Sequence, residues 1–142
     1  MSMNPKADLG AHVSIPIPST NPAAQAAGTV NGTGIDRTAH DNPMSAVLYG
    51  ACGAASGTPT TQAYDVKLQD SADNSTFADI TGAAITQIVA DSGEGFVDVN
   101  LTTARRYIRV VRVVAFTGGS TPALPVGECL ILGGGHTLAQ AL

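Results

Sequence analysis

The sequence predicts an all-β protein, a jelly-roll-like antiparallel β-sandwich of about eight strands preceded by an extended N-terminal arm. Three observations carry this. From residue 44 onward apolar and polar residues alternate with a period of two, the runs are separated by joints rich in Gly, Asp, Ser and Pro, and no segment carries an apolar stripe of helical period and useful length. Composition agrees: 13 % of the 142 residues are charged, against a usual share of about 25 %, and there are 16 glycines and no Trp. A chain of this size buries roughly 68–70 % of its unfolded surface, enough for one core.

Residues 1–43 form the arm. Pro5, Pro16, Pro18, Pro22 and Pro43 prevent a helix and would interrupt a central strand, because Pro lacks the backbone donor that a ladder needs. Two pieces have the character of edge strands: "HVSIPI", where Val13, Ile15 and Ile17 alternate with polar or Pro positions, and "GTVNGTGI" around Val30. With few large apolar groups, the first 25 or so residues are expected to contribute little to core stability.

Residues 44–142 form the sandwich core with a short C-terminal tail. "MSAVLYGACG" is an apolar run closed by Gly53, and in "AYDVKLQ" Tyr64, Val66 and Leu68 alternate with Asp65, Lys67 and Gln69. The rhythm continues through "TFADI", "AITQIVA", "GFVDVNL", "RRYIRVVRVVAF" and "ALPVGECLIL". In "GFVDVNL", Phe96, Asp98 and Asn100 face one way and Val97, Val99 and Leu101 the other, as in a half-buried antiparallel strand. The tail "HTLAQAL" has enough helix formers for a last turn.

The oxygen-rich stretch "DSADNSTFAD" raises the question of a metal loop. An EF-hand needs Gly at its sixth position, a bidentate Glu at its twelfth, and flanking helices. Counting from Asp70, those places hold Ser75 and Thr81, and strands flank the loop. Asp, Asn and Ser favour turns, so the expectation is a hairpin without metal. His12, His40 and His136 are scattered and lack the spacing of a cupin metal site, no GxSxG elbow is present, and "GTVNGTGID" fits neither phosphate-binding glycine pattern. The chain is therefore expected not to be an enzyme and to use no cofactor.

A net charge of −4 gives no general attraction to nucleic acid or anionic lipid, so neither nucleic acid nor membrane is expected as a partner. Cys52 and Cys129 lie outside any CxxC spacing and are expected to be reduced, buried thiols, consistent with assembly in a cytoplasm. The one concentrated charge feature is "RRYIRVVRVV", where Arg105, Arg106, Arg109 and Arg112 supply four of the seven basic residues. Period two puts Arg105 and Arg109 on one face, and Arg106 and Arg112 on the other with Ile108, Val110 and Val114. A bulge could re-aim Arg112, or the strand could be covered on both sides. Cross-strand pairing with Asp65, Asp79 or Asp98 competes with contact to an acidic partner.

The stretches "VKLQDSADNSTFADITG", "ARRYIRVVRVV" and "GECLILGGG", within residues 64–135, resemble the jelly-roll cement or decoration proteins of tailed-bacteriophage heads. The resemblance implies a structural virion protein on the outer surface of the head, bound to the major capsid protein and to itself as a homodimer or homotrimer. Val13, Ile15, Ile17, Arg105 and Arg109 are the candidate capsid or subunit contacts. A glycan-binding module of a virion and a cupin-like enzyme are the alternatives, the former with only Tyr49, Tyr64 and Tyr107 to offer as sugar platforms.

Overall fold

The computed structural model describes residues 13–16 and 19–135. It is an all-β sandwich of two antiparallel sheets. Six long strands form its body: β5 (Ser45–Cys52), β6 (Thr61–Ser71), β7 (Ala78–Ala84), β8 (Glu94–Asn100), β9 (Tyr107–Thr117) and β10 (Leu124–Gly133). Sheet A places β5 between β10 and β8, and sheet B places β6 between β9 and β7. The chain crosses from one sheet to the other after β5, β7, β8 and β9.

Four shorter strands precede the body: β1 (Val13–Ser14), β2 (Ala23–Gln25), β3 (Gly28–Asn31) and β4 (Ile35–Asp36). They raise the total to ten, against about eight expected; β1 and β3 lie in the edge pieces "HVSIPI" and "GTVNGTGI", while β2 is too short and too poor in apolar residues to stand out in the sequence. β1 and β2 pair with the outer edge of β10, while β3 and β4 pair with the outer edge of β9. The N-terminal segment thus covers one edge of each sheet.

Alternation dictates the core. Tyr64, Val66 and Leu68 of β6 point inward against Leu48 of β5, Val99 of β8, Ile108 and Val114 of β9, and Leu124 and Leu132 of β10. β6 and β9 pair without interruption from Thr61 opposite Thr117 to Ser71 opposite Tyr107, so no bulge re-aims Arg112. "AITQIVA" is not a continuous strand: Ala84 ends β7, Ile85 and Ile88 are buried, and beyond Ala84 the backbone bonds β6 only at Val66 and Tyr64. Its two buried isoleucines stand three apart, which is not the period of a strand.

The "DSADNS" segment is the turn between β6 and β7. The Asp73 carboxylate accepts bonds from the Ser71 hydroxyl and from the backbone N–H groups of Ser75 and Thr76 at 2.8–2.9 Å. Those bonds, the Thr76 N–H first, hold its carboxyl down at about 2. The oxygens that suggested a metal loop close a hairpin turn.

Candidate functional site

The two outer faces of the sandwich differ in kind. On sheet B, Asp65, Lys67 and Gln69 of β6 and Arg109 of β9 lie outward, and each is engaged within the chain. Lys67 bonds Asp79 at 2.8 Å, Gln69 donates to Asp79 at 2.7 Å, and Gln87 donates to Asp65 at 2.9 Å. Arg109 holds the Gln69 carbonyl oxygen through Nε and Nη2 and stacks 4.0 Å from the centroid of the Phe77 ring. These contacts, Lys67 first, lower the Asp79 carboxyl below the usual range.

The remaining arginines are also engaged internally. Arg105 donates to both the carboxylate and the backbone carbonyl of Asp70. Burial pushes the Asp70 carboxyl up, but the Arg105 bonds outweigh it and leave it below its ordinary value. Arg106 pairs with Asp36 at 2.7 Å and, with Thr38, holds that carboxyl well below the carboxylate range. The partners expected from the sequence were Asp65, Asp79 and Asp98; those found are Asp70, Asp36 and Glu128, which lie on elements or turns whose register the sequence does not reveal.

Arg112 enters the core. It meets Glu128 of β10 at 3.3 Å, with the two side chains only 4 % and 1 % exposed, and donates to the Asn21 carbonyl at 2.8 Å. Tyr64 and Thr20 each donate a hydroxyl to the same carboxylate at 2.6 Å. Burial, then the bond to Glu128, keeps the Tyr64 hydroxyl protonated far above the usual phenol range. Arg37, also buried, donates to the carbonyls of Pro43, Leu101, Ala104 and Arg105. Both arginines are structural anchors that the sequence reading did not identify. A readable signal existed for one of them: beyond Arg106, which precedes β9, Arg112 is the one charge on the stripe Ile108, Val110, Val114, and Glu128 the one charge on Leu124, Val126, Leu130, Leu132.

On sheet A the outer face is apolar. Val47 and Tyr49 of β5 lie between Cys129 and Ile131 of β10 and Phe96 of β8, which is 68 % exposed. Ile15, just past β1 at the β10 edge of this sheet, is 66 % exposed. The charges on this face are Glu94 and Asp98, flanking Phe96. Tyr49 donates its hydroxyl to Glu94 at 2.6 Å, while no cation among the described residues pairs with Asp98.

The candidate contact residues therefore fall on both sheets: Val13 and Ile15 beside β10, Arg105 and Arg109 on or next to β9. Ile17, with His12, His136 and the tail "HTLAQAL", lies outside the described residues. The candidate set omits three exposed large hydrophobics, Met44, Val89 and Phe96, of which Phe96 is the most exposed. Cys52 and Cys129 are free thiols, half-buried and not enclosed as expected.

No protein-family model matches the chain, and no curated protein matches it either. Among solved structures it is similar to the crystal structure of the PBSX exported protein XepA, with a TM-score of 0.57 and 18 % sequence identity. The match covers 87 % of this chain and 37 % of that one, so the chain spans little more than a third of its neighbour's length. What the two share is the fold.

Proposed function

We propose that this chain is a non-enzymatic structural protein of a phage virion, seated on the outer surface of the head, where it binds major capsid proteins and stabilises contacts between them. The observation that carries the reading is the inequality of the two outer faces. A sheet face whose charged groups Asp65, Lys67 and Asp79, with Arg109 on Gln69, are engaged internally has little charge left to offer a partner. An apolar sheet with a 68 % exposed Phe96 gains free energy when covered, at about 25 cal/mol per Å² of apolar surface. The fold likeness to a PBSX exported protein supports a phage connection at that coarse level. As a homodimer or homotrimer the protein would engage several capsid subunits at once and gain avidity without new kinds of contact.

Cosedimentation with empty shells of the parent phage tests the proposal. The wild type should pellet with shells, Phe96→Asp should not, and Arg109→Glu on the opposite face should still pellet. Failure of the wild type to pellet would overturn the head-binding reading. Loss with Arg109→Glu alone would move the contact to sheet B.

A further inference from the structure

Of the four sheet edges, the N-terminal segment covers two, through β1 and β2 on β10 and through β3 and β4 on β9. The third, β7, is irregular: its register with β6 shifts between Lys67 and Gln69, and Gly82 takes a φ of +77°. Such breaks guard an edge against further pairing. The fourth, β8, pairs with β5 in unbroken register over all seven of its residues. It is the one regular, uncovered edge among the described residues.

The backbone phase of that edge follows from two bonds. Cys52 N–H donates to Gly93 C=O, and Leu101 N–H donates to Met44 C=O. Residues 93, 95, 97, 99 and 101 therefore turn their backbone groups toward β5, because hydrogen-bonded and non-bonded positions alternate in an antiparallel pair. Glu94, Phe96, Asp98 and Asn100 turn theirs outward, and these same four residues carry side chains on the exposed face of sheet A. A strand arriving at this edge would meet free N–H and C=O groups and a fixed side-chain series, acidic, aromatic, acidic, amide.

We propose that the β8 edge binds another protein by strand addition, and that the added strand carries basic, apolar and basic side chains at alternate positions, opposite Glu94, Phe96 and Asp98. Charge selects this occupant. The described Lys and Arg residues are engaged elsewhere, so among the described residues no cation pairs with Asp98, and a basic side chain across the strand from each carboxylate is the complement. A second copy of β8 fits badly. Antiparallel pairing centred on Phe96 sets Glu94 against Asp98 twice over. The neighbouring in-phase registers set Glu94 against Glu94, Asp98 against Asp98, or a carboxylate against the Phe96 ring. The two acidic residues thus discourage self-pairing and still admit a basic strand.

The inference rests on the reading that the outer side of sheet A is the partner-facing side, but it is tested without shells. The probe is a short synthetic peptide with lysine, valine and lysine at alternate positions, compared with a copy bearing glutamate for both lysines and a copy N-methylated on the backbone nitrogens that would face β8. By NMR on the full chain, the lysine peptide should shift and protect the amides of Glu94, Phe96, Asp98 and Asn100. The glutamate copy should bind on the order of tenfold more weakly, since two cross-strand charge pairs are reversed. The N-methylated copy should not bind. An E94K/D98K variant, checked for folding by circular dichroism, should reverse the preference; if it does not fold, the peptide comparison on the wild type decides alone. No binding of the lysine peptide, equal binding of the lysine and glutamate copies, or protection at amides outside β8 would overturn the proposal. Peptide binding with failed cosedimentation would retain the strand-addition site and discard the shell as its partner.

Discussion

Glu128 and Arg112 each stand alone on an apolar stripe, and folding brings the two stripes face to face. Removing one partner leaves the other charged and buried, whereas removing both leaves no uncompensated charge, so the double change should cost much less than the sum of the two single changes. Glu128→Gln is expected to cost about 3 kcal/mol in urea unfolding, and adding Arg112→Met should recover a substantial part of that loss. A double variant as unstable as the two single losses added together would show that the pair does not act as a unit. Asp73 offers a second test, by pH. Its carboxyl is lowered to about 2 by the turn N–H and hydroxyl donors, so its stabilising contribution is complete above the unfolded value near 3.9 and disappears as pH falls through about 2. Asp73→Ala should therefore unfold at lower urea than the wild type at neutral pH, and the difference should shrink to nothing on acidification below about 2.

At the scale of elements, the long strands were legible and the short ones only in part: β1 and β3 lie in the edge pieces "HVSIPI" and "GTVNGTGI", while β2 gave no signal. β6 and β8 announced their inward and outward faces because polar and apolar residues alternate cleanly in "YDVKLQ" and "GFVDVNL". β2 carries small residues just after Pro22, and β1 stops before Pro16; what fixes all four short strands is the edge they lie against, which is a property of the finished sheets. The same gap explains why the N-terminal residues looked dispensable. Ser19 is 8 % and Thr20 4 % exposed. Ser19 accepts a bond from Val110 N–H and donates to Thr33 C=O, while Thr20 donates to Glu128. Deleting residues 1–21 should thus lower stability by roughly 3 kcal/mol, through buried groups on β9 and β10 left without partners. Thr20→Val should reproduce about 1 kcal/mol of it. An unchanged urea midpoint after the deletion would show that water satisfies those groups equally well.

At the scale of the molecule, the route of the chain limits how the sandwich can come apart. β5, β8 and β10 belong to sheet A, β6, β7 and β9 to sheet B, and the chain passes between the sheets four times from β5 onward. No consecutive stretch holds one whole sheet, so neither sheet can leave without breaking the ladders of the other. The core packs Leu48, Leu124 and Leu132 of one sheet on Tyr64, Val66 and Ile108 of the other, which couples them again through burial. Residues 19–21 add a third link but do not create the coupling. The deletion of residues 1–21 should accordingly shift unfolding to lower urea while leaving it a single transition. Hydrogen exchange under increasing urea should show β5 amides in sheet A and β6 amides in sheet B opening at the same concentration, in the wild type and in the truncated chain alike. Separation of the two sheets only after truncation would mean that the N-terminal segment, and not the repeated crossing of the body strands, holds the sandwich together as one unit.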